Sequence, residues 1–175
     1  MATVTIQGSR NLVYVDLNVW EDSYSIDNNT SQVSFSVVLR RGTKGWDTSW
    51  ASWGQKIYVS YSIAGNSYTT YIPNYNYNGA NKPGSTFASG TITVGHNADG
   101  TASIGFGISL TDNANGKNSS GTYYTPGNAA WSESSMSLTT IPRASGIGNV
   151  SGTIGSAISI SWSRASSSFT HTLQW

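Results

Sequence analysis

Hydrophobic residues occupy every second position in several stretches of the chain, which is the pattern of a β-strand with one buried face. The strands that this alternation predicts are LVYVDLNVW (12–20), VSFSVVL (33–39), KIYVSYSI (56–63), SYTTYI (67–72) and TASIGFGISL (101–110). In SYTTYI, Tyr68, Thr70 and Ile72 share one side. The residues predicted to face the core in the other strands are Val13, Val15, Leu17, Val19, Val33, Phe35, Val37, Leu39, Ile57, Val59, Tyr61, Ile63, Ile104, Phe106, Ile108 and Leu110.

The segment HNADG, residues 96–100, is typical of a tight turn, because an Asp-Gly pair allows the positive φ angles that short turns need. It lies between GTITVG at 90–95 and the alternating stretch at 101–110. We therefore predict that these two strands form a hairpin. Gly105 and Gly107 alternate with the core-facing residues of the second strand, so the opposite face of that strand is expected to be bare.

The rest of the pattern also indicates strands. A last strand is expected over Ser132–Ile141, with Met136 and Leu138 buried. No segment of ten or more residues has a 3.6-residue period with caps, so no helix is predicted. Seven or more antiparallel strands predict an all-β fold, an antiparallel β-sandwich of the jelly-roll or Ig-like kind. Three connections between the strands are long, namely residues 40–56, 73–89 and about 111–130.

A joint between two domains is predicted at Pro142, whose ring fixes φ and removes the N–H that a sheet ladder needs. Small residues follow it, and the alternation resumes in AISISWSR at 157–164 and SFTHTLQW at 168–175. Because a two-stranded hairpin is marginal alone, these strands are expected to begin a further domain. The predicted division is an N-terminal β-sandwich at 1–141, a linker at 142–150, and the beginning of a second, truncated β (Ig-like) module at 151–175.

Charge and composition exclude several classes of partner. Only 10% of the 175 residues are charged and the net charge is +1, against roughly 25% charged residues in an ordinary soluble domain. Because phosphate binding needs clustered Lys and Arg, we expect no nucleic-acid partner. No apolar run approaches the roughly 20 residues that cross a bilayer, so we expect no membrane insertion. The N-terminus lacks the basic and apolar regions of a secretory signal, so we expect synthesis in the cytoplasm.

Residues that could carry catalysis or hold a metal are sparse. Serines are so numerous that a Ser-His-Asp arrangement around His96 or His171 has no specific signal, and we expect His96 to hydrogen-bond within its turn. The eight acidic residues form no pair typical of glycoside hydrolases. DNANGKN, residues 112–118, has the composition of a calcium loop, but Ala114 and Gly116 occupy alternate ligand positions. We predict no catalytic residue, no metal site, no cofactor and no enzymatic activity.

Aromatic residues are concentrated in the long connections. Aromatic rings stack on the C–H faces of sugars, and together with small polar residues they also make adaptable contacts with proteins. Three interpretations are open: the rings cap the ends of the core, they form an interface with another subunit, or they contact a glycan. The candidate ligand-binding residues are Trp46, Trp50, Trp53, Tyr71, Tyr75, Tyr77, Tyr123 and Tyr124.

Three motifs carry a resemblance to a known family: LTTIPRAS at 138–145, SRASSSFTHTL at 163–173 and HNADGTASIGFGISL at 96–110. In these motifs the chain resembles tail- or baseplate-associated structural proteins of siphophages that infect streptococci and related Gram-positive bacteria. Members of that family have an N-terminal β-sandwich, an IPRAS joint and further modules beyond it. The resemblance therefore implies the same modular β architecture here.

The resemblance also implies a function. It implies a non-enzymatic virion protein of the tail tip, baseplate or tail fibre, made in the host cytoplasm, that acts in structure and host attachment. The implied partners are other virion proteins and copies of the chain, in a homo-oligomer for which a trimer is one arrangement. Two alternatives stay open: a carbohydrate-binding module that recognises host cell-wall polysaccharide, and a head or capsid fibre protein.

Overall fold

The structure, a computed structural model, describes residues 1–42, 57–72, 84–114 and 125–143. These residues form eight β-strands and contain no helix, so none that is long and apolar enough to span a membrane. The strands are β1 (Ala2–Gln7), β2 (Val13–Ser25), β3 (Thr30–Arg41), β4 (Ile57–Ile63), β5 (Asn66–Tyr71), β6 (Ser85–Gly95), β7 (Ser103–Asp112) and β8 (Ala129–Ser137).

The strands form two antiparallel sheets of four strands each. The first sheet has the strand order β1-β2-β3-β6, and the second has the order β5-β4-β7-β8. Side chains from both sheets meet in one hydrophobic core, so the sheets pack face to face. The predicted all-β antiparallel sandwich is therefore confirmed.

The core is built from the alternating positions. Every hydrophobic residue that the alternation assigns to the core in β2, β3, β4 and β7 is buried. Ile72 is buried as well, directly after β5, and Tyr68 stacks on Tyr61 with ring centroids 5.2 Å apart. Because burial of one large aliphatic side chain is worth about 1.5–3 kcal/mol, these rows supply the main stabilisation of the sandwich.

The strands on either side of residues 96–100 do not pair with each other, so the predicted hairpin is wrong. β6 pairs with β3 in the first sheet, whereas β7 pairs with β4 and β8 in the second. The turn itself forms, with a φ of 82° at Gly100 and a hydrogen bond of 2.9 Å from the Thr101 N–H to Asp99. A turn signal describes the local backbone but not the pairing partner, and this turn carries the chain from one sheet to the other.

Strand ends also differ from the sequence-based expectation. β8 spans Ala129–Ser137, so it begins and ends earlier than the predicted last strand at Ser132–Ile141. Leu138 is buried as expected, although it follows the strand, whereas Met136 is only half-buried. β3, β6, β7 and β8 each extend into a segment that was expected to be a long connection.

The predicted linker and second module lie outside the described residues, apart from Pro142 and Arg143. That division of the chain stays a prediction. Just before it, Ile141 is fully buried, and its N–H donates to the Gly100 carbonyl over 2.9 Å. The segment after β8 is thus attached to the turn that connects the two sheets.

Candidate functional site

Of the eight candidate aromatic residues, Tyr71 lies in the part of the chain that the structure describes. The other seven lie outside the described residues, and their proposed role stays a prediction: Trp46, Trp50, Trp53, Tyr75, Tyr77, Tyr123 and Tyr124. Tyr71 ends β5, an edge strand of the second sheet, and its side chain is 48% exposed. It therefore lies where a ligand or partner could reach it.

Tyr71 is one of a pair of rings on the outer face of the second sheet. It pairs in register with Tyr58 on β4, and the two rings meet edge to face, with centroids 6.2 Å apart and planes at 78°. Edge-to-face contact places the positive edge of one ring on the negative face of the other. This contact restrains both side chains at one side of the sheet.

Trp131 on β8 is a second exposed ring on the same face, 47% exposed, and it is not among the residues predicted from the sequence to bind a ligand. It lies over Gly107, because a methyl group at position 107 would stand 2.5 Å from Cζ2 of the indole. The expectation that this face is bare is therefore wrong at Gly107, where the missing side chain makes room for the ring. At Gly105 it holds, since a methyl group there would meet no atom within 4 Å.

A carboxylate holds the indole in place at its edge. Nε1 of Trp131 donates a hydrogen bond of 3.3 Å to Oε2 of Glu133, two residues further along β8. Register pairs Glu133 with Gly107 on the neighbouring strand. The ring is thus supported by the backbone below it and by Glu133 beside it.

An open groove of about 860 Å³ adjoins this ring through Glu133. The groove is lined on the outer face of the second sheet by Gly105, Ser62, Ser103 and Ser135, and elsewhere mainly by the apolar residues Ala64, Ile104, Phe106 and, from the first sheet, Val94. In the described part of the chain these three hydroxyl groups have no hydrogen-bond partner. We call Trp131, Glu133, Gly105 and these three serines the groove site.

A second polar cluster lies at one end of the sandwich, where Glu21 continues the core-facing row of β2. The Ser31 hydroxyl contacts Oε1 of Glu21 at 2.6 Å and Nε2 of His96 at 2.7 Å. Thr139 donates to Oε2 of Glu21 from its N–H and its hydroxyl, over 2.9 and 2.7 Å. Burial acts to raise the pKa of Glu21, but the hydrogen bonds from Ser31 and Thr139 outweigh it and the pKa lies below its ordinary value.

This cluster is arranged differently from a hydrolase triad. In a triad the carboxylate holds the histidine nitrogen that faces away from an accessible serine. Here Glu21 contacts the serine, Ser31 is fully buried, and Nδ1 of His96 lies 2.8 Å from the Gly100 carbonyl. The expectation that His96 bonds within its own turn is confirmed. The cluster links β2, β3 and the turn after β6 to the segment after β8.

Asp112, the first residue of the calcium-like segment, uses its carboxylate within the fold. Its side chain is 1% exposed and lies 3.0 Å from Nη1 of Arg10. Oδ2 also accepts from the Gly127 N–H over 2.8 Å, and Oδ1 accepts from the Ala114 N–H over 3.0 Å. Within the described ranges, no three His, Cys, Asp or Glu side chains group as a metal site requires.

Comparison with known proteins bears on the chain as a whole. No curated protein matches it, and no solved structure matches it. A family model described as "Siphovirus protein of unknown function (DUF859)" matches residues 8–175. Because this match covers all but the first seven residues, the chain belongs to that family of siphovirus proteins.

Proposed function

We propose that this siphovirus protein is a non-enzymatic component of the virion, located at the tail tip, the baseplate or a tail fibre, where it acts in structure and host attachment. The observation that carries the proposal is the outer face of the second sheet. There the exposed rings of Trp131 and Tyr71 accompany small and hydroxyl-bearing residues. Exposed aromatic residues rimmed by polar ones are typical of surfaces that bind another molecule.

The proposal includes three kinds of partner: other tail or baseplate proteins, further copies of this chain in a homo-oligomer such as a trimer, and the polysaccharide of the host surface. Aromatic and hydroxyl side chains suit each of these contacts. Nucleic acid is not part of the proposal, because the net charge of +1 offers little attraction for phosphate. Membrane insertion is not part of it either, because no apolar run approaches the roughly 20 residues that cross a bilayer.

Binding of the fluorescently labelled chain to cells tests the proposal. A panel of streptococcal and related Gram-positive strains is used, each with and without extraction of its surface polysaccharide. We expect strain-selective binding that disappears on extraction. A folded chain that binds no strain would contradict the role in attachment.

A second measurement tests the location. Antibodies against the chain, applied to intact virions, are expected to label the tail end in electron micrographs. Labels on the head would contradict the tail assignment and favour a head fibre.

A further inference from the structure

The groove site combines a flat aromatic surface with an adjacent depression that has both polar and apolar lining residues. One face of the Trp131 indole is covered by the backbone at Gly107, so the exposed part of the ring presents its other face to solvent. The bond to Glu133 restrains rotation of the ring. Such a ring is ordered before any ligand arrives, and less conformational entropy is lost when a flat molecule stacks on it.

The groove beside the ring offers hydroxyl groups and unfilled space. Gly105 has open space where a side chain would lie, and the neighbouring Ser62, Ser103 and Ser135 are short. Hydroxyl groups donate and accept hydrogen bonds, as sugar hydroxyls do. A volume of about 860 Å³ lies within the range of small-molecule sites.

The charge of the groove restricts the chemical class of ligand that it can bind. Among the described residues that line it, Glu133 is the one ionisable side chain. A carboxylate accepts hydrogen bonds from sugar hydroxyls but repels phosphate and uronate groups at close range. The groove therefore suits a sugar polymer without negative charges.

We propose that the groove site binds a neutral glycan, with Trp131 as the stacking surface and Glu133 as a hydrogen-bond acceptor. The assignment rests on the proposed function in host attachment, because the glycan would belong to the host surface. Tyr58 and Tyr71 lie on the same outer face, two and three strands away from Trp131. At about 4.8 Å per strand, the face is wide enough for more than one sugar unit.

The test compares variants of the full chain on a strain to which the wild-type chain binds. The variants Trp131→Ala and Gly105→Val change the groove site, the first by removing the ring and the second by filling the open space. Trp20→Ala is the matched control, because Trp20 also donates to an acid two residues along its own strand, over 2.7 Å to Asp22. Trp20 lies on the other sheet, and circular dichroism checks that each variant is folded.

The probes are the neutral and the phosphate-bearing fractions of that strain's surface polysaccharide, separated by ion exchange and titrated by calorimetry. We expect binding of the neutral fraction to weaken about ten-fold or more in Trp131→Ala, which loses one aromatic stack. We expect Gly105→Val to weaken it as well, because the added side chain takes up space in the groove, and Trp20→Ala to leave it unchanged. Preference for the phosphate-bearing fraction would overturn the proposal, as would an equal loss in the control.

Failure of this inference can be told apart from failure of the proposed function. If wild-type and groove variants bind cells equally, attachment stands and the groove assignment falls. If the chain binds no strain, both fall. If Trp131→Ala changes the oligomeric state in size-exclusion chromatography without changing glycan binding, the groove is an interface between copies and the glycan assignment is wrong.

Discussion

On the outer face of the first sheet, polar side chains bond to one another across the strands, whereas on the second sheet much of the polar surface is left open. Thr3 donates to Asn18 over 2.8 Å, which in turn donates to Ser36 over 3.4 Å, so one series of bonds joins β1, β2 and β3. Across β3 and β6, Gln32 donates to Thr93 over 2.9 Å. The second sheet instead has Gly105 and the unpaired serines of the groove site.

Trp20 on the first sheet and Trp131 on the second show the same difference between the two outer faces. Trp20 and Trp131 each donate an indole N–H to an acid two residues along the strand. Asp22, the partner of Trp20, also accepts from Ser34 and so belongs to the bonded surface. Glu133 accepts only from Trp131 among the described residues and borders the groove. The polar groups of the first face bond to one another, whereas the groove site on the second face has hydroxyl groups that bond to no other described residue.

The largest effect on stability is expected on the first face, from Asp16→Ala. Asp16 is buried, Arg40 donates to both of its carboxylate oxygens, and Thr5 donates to Oδ1 over 2.7 Å. Removal breaks the hydrogen bonds that Arg40 and Thr5 make to a charged acceptor, and we expect a loss of about 2 kcal/mol in the free energy of unfolding, since water can still solvate the half-exposed Arg40. Urea denaturation measures it. Asp27→Ala, at an exposed turn, is the control. An equal loss in that variant would show that the hydrogen bonds of Asp16 add no stability of their own.

Much of this fold follows from alternation, because rows of apolar residues at every second position must turn toward a core. β1 was not predicted, since Val4 and Ile6 give only two apolar positions in a short strand. The partner of β6 was not predictable either, because pairing depends on which apolar faces meet across the sandwich. Tyr71 was predicted because aromatic residues are concentrated around it in the sequence. Trp131 was missed, although the glycines of the neighbouring strand give a signal: positions without side chains on a solvent-facing row leave room for a large ring.

A smaller effect is expected at the end of the sandwich, from Glu21→Gln. The amide keeps one acceptor but loses charge, and we expect a loss of about 1 kcal/mol near neutral pH. The pKa of Glu21 is lowered by folding, so its ionised form stabilises the fold above the ordinary value of 4.5, and this contribution is lost as the pH falls through the lowered pKa.

The pH dependence of stability separates the effect of the lost charge from the effect of changed packing in Glu21→Gln. Thermal unfolding from about pH 6 to about pH 3 is expected to show a smaller drop in stability for Glu21→Gln than for the wild type. Parallel profiles would show that the ionised carboxylate adds nothing. Unlike the bonds across the first face, this cluster joins the first sheet to the segment that follows β8.

Gly107→Ala is expected to act on the second face with a cost of about 1 kcal/mol or less. The added methyl group would stand 2.5 Å from the indole, and the exposed ring can move away to relieve the contact. The measurable result is loss of the bond to Glu133, seen as a shift of the Trp131 indole N–H resonance in NMR spectra. An unshifted resonance would contradict the position of the ring over Gly107.

The smallest effect on stability is expected from Gly105→Val, two residues away on the same strand. A methyl group at position 105 meets no atom within 4 Å, β-branched residues favour strands, and glycine loses more entropy on folding than other residues. We expect the free energy of unfolding to change by no more than about 0.5 kcal/mol, in either direction. Urea denaturation of both glycine variants side by side measures the difference. A large loss at position 105 would mean that this part of the face is packed, and the contrast between a closed first face and an open second face would no longer hold.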